Sequence, residues 1–463
     1  MKETLYIKEF GTIKIGQKNM SSNNNSCLEV LESTFDSLID FIEENQLQED
    51  FDKAFIIYKK KGQRYIKVKN YVGVIETKEN VIIEILPKTF IGKNGEEANI
   101  EVSRKLLLTM LKTLKNSPFI NLNIAHLKEQ KNFPILEVFI ASYLDELIKL
   151  TSKELRGDYI NVEDNCKFLK GKLLLKEQIK YNSFNKTRFY CQFDEFNTNI
   201  PPNKLIKATL LKLYKITTSN KNKKKILKSL QHFELVNKCN DIESDIAYCR
   251  IREKALVNYG NLVNWSEIFL KNKSFTNFSG NSINQAILFP MEKLFESYIA
   301  HLLKKHCSGF SIKTQDRRYF LVGQKRNNED LDYAINKFLL KPDIVINDYK
   351  LIMDTKWKIL NSESRKYDIK ESDIYQMHAY GSRYSSLLGK PRLALIYPIN
   401  PYFQEKLLQF RYGEDMFLDV IPFDFSNASP ESEIKKIVED FFQPKLYLER
   451  GIESIGLAAD PFE

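Results

Sequence analysis

The first hundred residues alternate between hydrophobic and polar positions with a period of two. The alternation is clearest over 53–88, and "KKKGQ" (59–63) and "TKEN" (77–80) interrupt it with residues that favour turns. This pattern is typical of short strands with one buried face. We therefore predict a β-rich N-terminal module over residues 1–100.

Helical periodicity dominates the middle of the chain. Amphipathic stretches there place apolar residues three and four positions apart, at 103–116, 133–155 and 202–219. Residues 101–275 are therefore predicted to be mainly helical. The same periodicity occurs once in the N-terminal module, at 28–46, after a polar stretch at 19–27 that predicts a loop.

The last part of the chain alternates between helical and strand patterns. A polar segment at 272–282 predicts a linker, and the alternation that follows is typical of an α/β domain. We predict this third domain over 276–463, and an α+β multidomain protein overall. The 463 residues exceed what one core usually organises, and a hydrophobic share of 43% supplies apolar material for several cores.

The absence of long apolar runs and the spacing of the cysteines indicate the compartment in which the protein works. No run approaches the roughly 18 apolar residues of a membrane span, and the N-terminus lacks the apolar core of a signal peptide. We therefore expect a cytoplasmic protein with no membrane partner. The six cysteines are scattered, without a CxxC pair or histidines at zinc-finger spacing, which favours reduced thiols over a zinc site.

The net charge is positive. Lysine and arginine outnumber aspartate and glutamate by 70 to 60, which is a formal charge of +10. The excess suits a polyanion such as double-stranded DNA, although a solvated lysine-rich surface accounts for it equally well. The densest cluster supplies candidate nucleic-acid contacts, with a solvated helix end or loop as the alternative: Lys221, Lys223, Lys224 and Lys225.

The stretch "KPDIVINDYKLIMDTKWK" (341–358) sets two carboxylates on hydrophobic segments. Two strand patterns flank the turn-prone pair "ND", which predicts a β-hairpin. A two-residue loop would set Asp343 opposite Ile352, so that Asp354 shares the face of Asp343 diagonally. Period two then brings Lys356 to that face as well.

Two carboxylates this close repel each other unless a positive charge lies between them. A hard divalent cation meets that need, and Mg²⁺ is the natural ion, with Mn²⁺ able to replace it. Such an ion can bind a scissile phosphate and lower the pKa of a bound water, while Lys356 stabilises developing negative charge. The arrangement suits phosphodiester hydrolysis.

The same stretch resembles the PD-(D/E)xK nuclease signature. Pro342 and Asp343 match its first half, and Asp354, Thr355 and Lys356 match its second half. The resemblance implies that Asp343, Asp354 and Lys356 are catalytic and that Asp343, Asp354 and Thr355 bind the metal ion. Lys358, two positions after Lys356, is a further candidate for contact with DNA.

Two helical patterns flank the signature. Upstream, Glu296 lies at the edge of an apolar stripe and is either a third acidic group of the metal site or a solvated glutamate. Downstream, a helix predicted to start at Ser372 and Asp373 places Gln376 and Tyr380 one turn apart. This pair resembles the QxxxY motif of RecB-like nucleases, which implies a catalytic role for both.

Most of residues 50–400 resembles the McrC family, the nuclease subunits of McrBC-type modification-dependent restriction systems. "YVGVIETKENVIIEILPK" (71–88), "ELRGDYINVEDNCKFLKGKLLLKEQI" (154–179) and "FDEFNTNIPPNKLIKATL" (193–210) are similar to elements of that family. The resemblance implies a Mg²⁺-dependent DNA endonuclease that works with, and stimulates, a McrB-like AAA+ GTPase hexamer. It also implies that residues 276–463 cut DNA while the preceding regions contact the partner.

Two other functions stay open at this point. The chain has no GxxxxGK[ST] loop, so we expect it to bind no nucleotide itself. Its large portion before the signature fits a catalytically silent assembly factor that activates a partner NTPase. A stand-alone RecB-like nuclease that needs no motor is the other alternative.

Overall fold

The structure is a computed structural model and describes residues 3–16, 26–45, 54–91, 96–125, 133–153, 155–271, 283–324, 335–384, 389–425 and 430–442. It is a mixed α/β protein with several small sheets. The predicted linker at 272–282 and residues 19–25 of the predicted loop lie outside the described residues. No helix in the described ranges is long and apolar enough to cross a membrane. The six cysteines are free thiols.

The N-terminal module has the predicted strands and one helix. Its elements are β1 (Glu3–Lys8), β2 (Thr12–Ile15), β3 (Cys27–Val30), α1 (Glu32–Glu44), β4 (Phe55–Lys60), β5 (Gln63–Val68), β6 (Tyr71–Thr77), β7 (Val81–Leu86), β8 (Phe90–Ile91) and β9 (Glu96–Glu97). One sheet has the order β3-β2-β5-β4, and a second contains β1, β7 and β6. Both sheets and α1 share one core, to which Phe35, Ile66 and Ile83 belong.

The middle region is mainly helical but contains a sheet that the sequence pattern did not predict. Its elements are α2 (Ile100–Leu111), α3 (Ile135–Thr151), β10 (Asp158–Cys166), β11 (Lys172–Leu173), α4 (Leu175–Asn182), β12 (Phe189–Asn197), α5 (Pro201–Ile216), α6 (Asn220–Gln231), α7 (Ile242–Ile251) and α8 (Gly260–Lys271). The antiparallel sheet has the order β10-β12-β11. Strand β10 has no buried face, so its sequence lacks the alternation of hydrophobic and polar residues that predicts a half-buried strand.

The last region alternates between helices and strands, as predicted. Its elements are β13 (Ile283–Pro290), α9 (Met291–His306), β14 (Ile312–Thr314), β15 (Phe320–Gln324), β16 (Ile335–Leu339), β17 (Ile344–Ile346), β18 (Leu351–Thr355), α10 (Glu371–Arg383), β19 (Arg392–Pro398), β20 (Phe410–Tyr412), β21 (Met416–Phe423) and α11 (Pro430–Phe442). Six of these strands form a mixed sheet in the order β14-β17-β18-β19-β21-β20. Within it β18, β19 and β21 run parallel.

The two faces of this sheet pack against different helices. Met353 and Ile396 belong to the largest core, which also contains apolar residues of α9 and α11. Ile352 and Leu395 belong to a separate core that includes Met377 of α10. Because side chains alternate along a strand, the residue two positions after Ile352 faces α10 as well.

Strand β13 connects the N-terminal module to the last region. It pairs antiparallel with β6 and thereby completes the second sheet of that module, in the order β1-β7-β6-β13, and α9 follows it without a loop. At the pairing Gly73 has φ 141°, and a Cβ there would lie 2.0 Å from the carbonyl oxygen of Ile287. Only glycine permits this close approach of two backbones.

Candidate active site

The predicted hairpin at 341–358 forms, but its turn is longer than expected. Strands β17 and β18 pair antiparallel, and four residues, 347–350, turn between them. Three consecutive turn residues, Asn347, Asp348 and Tyr349, have positive φ angles. A two-residue type I′ loop has only two such residues, so the prediction of a two-residue loop is wrong.

The longer turn changes which residues lie opposite each other. Ile344 pairs with Met353, and one further step in this register sets Asp343 opposite Asp354. The predicted partner of Asp343, Ile352, is therefore wrong by two residues. Since a shift of two keeps every side chain on its face, both carboxylates still share the face that packs against α10.

Asp343 is held by the end of β18. The backbone N–H and the hydroxyl of Thr355 donate to its Oδ2 at 2.8 and 2.9 Å. Burial raises the pKa of Asp343 to about 6, the charge of Glu296 adds to this, and the hydrogen bonds from Thr355 oppose it. The structure thus gives Thr355 a role in orienting the first carboxylate.

Asp354 is 1% exposed and lies beside Lys356, whose ammonium group contacts its Oδ2. Burial raises the pKa of Asp354 to about 7, with a further increase from Asp343 and an opposing effect from Lys356. Burial by itself lowers the pKa of Lys356, but the Asp354 carboxylate outweighs this effect and the pKa is raised overall. Two acids therefore share one lysine, which leaves negative charge unbalanced.

Glu296 lies on α9 near the two aspartates. Its Oε1 accepts a hydrogen bond from the Gln315 side chain at 2.5 Å. Burial raises the pKa of Glu296, while Gln315 and the charge of Lys341 lower it. The glutamate is half-buried and acts electrostatically on Asp343, so it is not the solvated residue of the alternative interpretation.

The chemistry of these donors fits a hard cation with a small protein ligand set. In the described part of the chain, no group of three or more His, Cys, Asp or Glu side chains is arranged to hold a metal ion. The two facing aspartates remain, together with the oxygens of Thr355. Mg²⁺ is commonly bound through one or two carboxylates, with water and substrate oxygens completing its shell.

The QxxxY pair lies on α10 beside the carboxylates. The amide of Gln376 donates to the hydroxyl of Tyr380 at 2.7 Å. Burial, and then the charges of Asp354 and Asp343, raise the pKa of Tyr380. The tyrosine therefore keeps its proton at neutral pH, next to the site.

Sequence reasoning missed the buried Asp373. The helix begins at Glu371, one residue before the predicted start at Ser372 and Asp373, and its N-cap is Lys370, so neither predicted residue caps the helix. Instead, Asp373 accepts hydrogen bonds from Lys358 at 2.5 Å and from the hydroxyl of Tyr397 at 3.3 Å. Its spacing three residues before Gln376 is the signal that could have placed it on the inner face of the helix.

The predicted lysine cluster lies elsewhere in the molecule. Lys221, Lys223, Lys224 and Lys225 are all on α6. This helix packs against α3 and α5, and Lys225 pairs with Asp145 of α3 at 2.8 Å. Of the predicted nucleic-acid contacts, Lys358 is the one that the structure joins to the site, through Asp373.

Comparison with known proteins places the chain in a family. Two Thermococcus gammatolerans structures resemble it: a chain of the refined half-complex from a tetradecameric assembly of McrB AAA+ hexamers with bound McrC, and a chain of the McrBC complex determined by cryo-EM. The first is 17% identical with a TM-score of 0.67 and covers 94% of this chain and 99% of that chain, so the two share a fold. The second is 20% identical with a TM-score of 0.48 and covers 66% and 88%.

No curated protein matches the chain. A family model described as the McrBC 5-methylcytosine restriction system component matches residues 66–398, which is more than half of the 463 residues. The resemblance inferred from the motifs is thereby confirmed at the level of the family. This chain belongs to the family of McrBC 5-methylcytosine restriction system components.

Proposed function

We propose that this protein is the nuclease subunit of a McrBC-type restriction system and hydrolyses DNA phosphodiester bonds with a PD-(D/E)xK domain. The observation that carries the proposal is the pair of buried carboxylates, Asp343 and Asp354, that share Lys356 at the carboxyl end of β18. Strand β18 is parallel to β19, and ligands of α/β sheets bind at the carboxyl ends of such strands.

The oxygens of Asp343, Asp354 and Thr355 would hold Mg²⁺, or Mn²⁺ in its place. When bound, the ion would supply positive charge for the attacked phosphate and for activation of a water molecule. Glu296 contributes negative charge next to these ligands. The unbalanced negative charge among the described residues supports a cation at this position.

Two side chains would act directly on the DNA. Lys356, held by Asp354, stabilises the negative charge that develops on the phosphate. The Tyr380 hydroxyl accepts a hydrogen bond from the Gln376 amide and can itself donate a hydrogen bond to a phosphate oxygen. This second hydrogen bond would orient the strand for attack. Because burial keeps the Tyr380 proton in place, this donor persists at the pH of the cell.

We also propose that an AAA+ GTPase hexamer is the partner that supplies energy and recognition of modified DNA. Family membership and the fold shared with a chain from a McrB and McrC assembly support this. The sheet β10-β12-β11, α4 and the segments that connect them carry many exposed large apolar side chains, a feature of protein interaction surfaces: Tyr159, Ile160, Phe168, Leu169, Leu175, Ile179, Tyr181, Phe184 and Phe196.

The test is cleavage of methylated and unmethylated plasmid with Mg²⁺, with and without the partner GTPase and GTP. We expect cutting of the methylated plasmid with partner and GTP, and a loss of at least about 10³-fold in the Asp354→Asn variant. Asp419→Asn is the matched control, because Asp419 is buried to the same degree in the same sheet. It should retain cleavage.

The alternatives predict different results. Stimulated GTP turnover without cutting in Mg²⁺ or Mn²⁺ would identify an assembly factor. Robust cutting by the chain alone, without nucleotide, would identify a stand-alone nuclease. Cutting by Asp354→Asn at the wild-type rate would show that the site takes no part in cleavage.

A further inference from the structure

A cleft of about 860 Å³ lies next to the candidate site. Residues of β4 and β5 line it, together with the first turn of α9 and the segment that follows β18. Trp357 and Lys358, the two residues after Lys356, are part of its wall. The chain therefore runs from the site directly into this cleft.

Positive charge dominates the described lining of the cleft. Five lysines and one glutamate line it: Lys67, Lys69, Lys293, Lys358, Lys370 and Glu292. The lysines come from four separate parts of the chain, so no single basic segment accounts for them. Lysines that converge on a concave surface focus the electric field there and attract a polyanion.

An aromatic side chain belongs to the same wall. Phe10 is 38% exposed and has φ 64°, a backbone conformation that bulky residues rarely adopt. Its neighbour Glu9 is buried and accepts the indole N–H of Trp357 at 2.7 Å and the backbone N–H of Lys88 at 2.9 Å. These bonds hold the strained segment against the residue that follows Lys356, and strain of this kind concentrates at ligand sites.

The cleft and the candidate site share two elements. Lys358, in the cleft, binds Asp373, whose charge raises the pKa of Asp354. On α9, Lys293 lines the cleft, and Glu296, one turn later, acts on the carboxylates. A ligand extending from the carboxylates along α9 would therefore enter the cleft.

We propose that this cleft binds one DNA strand, separated from its complement next to the scissile phosphate, with its lysines on successive phosphates and Phe10 stacked on a base. The proposal rests on the nuclease function proposed above. Lysines along a groove with an exposed aromatic ring are the chemistry of single-strand binding. The N-terminal module is then part of the substrate site, in addition to any contact with a partner.

The test measures binding of a short fluorescein-labelled DNA single strand by anisotropy, with Ca²⁺ in place of Mg²⁺. Replacing three cleft lysines by glutamine, Lys67→Gln, Lys293→Gln and Lys370→Gln together, should raise Kd at least about tenfold and lower the slope of log Kd against log salt by about 2. The matched control removes three exposed lysines of the middle region that do not line the cleft, Lys149→Gln, Lys153→Gln and Lys254→Gln, and should change Kd less than about twofold.

A second pair of variants tests the aromatic contact. Phe10→Ala should raise Kd about fivefold, and Phe10→Trp should restore it, because any flat ring can stack on a base. Equal melting temperatures would show that both variants remain folded.

An unchanged Kd in the triple cleft variant, or displacement of the strand by an equal phosphate concentration of GTP, would overturn the proposal. The experiments distinguish failure of the DNA-binding proposal for the cleft from failure of the proposed nuclease function. Normal cleavage with unchanged binding in the cleft variants defeats the cleft alone, whereas wild-type cutting by Asp354→Asn defeats the nuclease site alone.

Discussion

One six-stranded sheet contains two buried aspartate environments that differ in charge balance. On β21, Asp419 is 1% exposed and lies 2.7 Å from the ammonium of Lys406 and 3.6 Å from the guanidinium of Arg392. At the end of β18, Asp354 is buried to the same degree but shares its lysine with Asp343. One acid faces two bases in the first environment, and two acids share one base in the second.

The difference shows that burial of a carboxylate does not by itself indicate chemistry. A buried carboxylate with cationic partners is a structural ion pair that needs no further ligand. Burial raises the pKa of both carboxylates, and nearby negative charge raises it further: the charge of Asp343 acts on Asp354, and the charge of Glu296 acts on Asp343. An incoming cation relieves the repulsion, which makes the second environment suitable for catalysis.

The largest expected difference between the two environments follows from replacing the lysine of each. Lys356→Met should lower the cleavage rate by about 10²–10³-fold, because it removes the charge that stabilises the transition state. Lys406→Met makes the same change beside Asp419 and should leave the rate within about twofold. Rates are measured by plasmid cleavage under partner and GTP saturation. Equal losses of cleavage rate in the two variants would mean that the two aspartate environments do not differ in their importance for catalysis.

An intermediate effect is expected on the pH dependence of stability without divalent ions. The folded pKa values of Asp343 and Asp354, about 6 and about 7, lie above their ordinary value of 3.8. The folded protein therefore holds more protons than the unfolded chain, and the stability from these groups, complete below about pH 4, is lost as the pH rises through 6 and 7. The Asp343→Asn substitution removes the titration of residue 343. It also lowers the pKa of Asp354, because the charge of Asp343 contributes to raising that pKa.

The free energy of unfolding should accordingly fall less between pH 5 and pH 8 in Asp343→Asn than in the wild type, by on the order of 2 kcal/mol. Urea unfolding in EDTA at the two pH values measures this difference. Asp419→Asn leaves Asp343 and Asp354 in place and should retain the wild-type pH dependence. An equal or steeper fall in Asp343→Asn would mean that folding does not raise the pKa of Asp343.

The smallest effect is expected from the tyrosine hydroxyl beside the site. Tyr380→Phe removes the acceptor of the Gln376 amide and a donor to the DNA, and should slow cleavage about fivefold, since one hydrogen bond contributes about 1 kcal/mol. Tyr397→Phe removes a hydroxyl that binds Asp373 and should change the rate less than about twofold. Comparable single-turnover rates for the two variants would deny Tyr380 a direct role.

Local patterns predicted the elements of the site well. The helix that carries Glu296, the two hairpin strands and the helix that carries Gln376 and Tyr380 occur where their periodicities place them. The family inferred from the order of the motifs is confirmed. The catalytic and metal-binding roles of these residues stay predictions.

Local patterns failed where an interaction reaches across the chain. The hairpin register depended on three turn residues with positive φ, and Lys313, from another strand, pairs with one of them, Asp348, at 2.7 Å. Asp373 has the sequence features of a solvated helix start, yet it turns inward because Lys358 and Tyr397 meet it there.

The sequence by itself determined the family, the order of the elements and the face on which both aspartates lie, because periodicity and motif spacing are properties of neighbouring residues. Tertiary structure decided the charge balance around each carboxylate, the inward position of Asp373 and the cleft between the N-terminal strands and α9. Those features arise from residues far apart in the chain, as when Glu9 meets Trp357, and local pattern carries no information about such contacts.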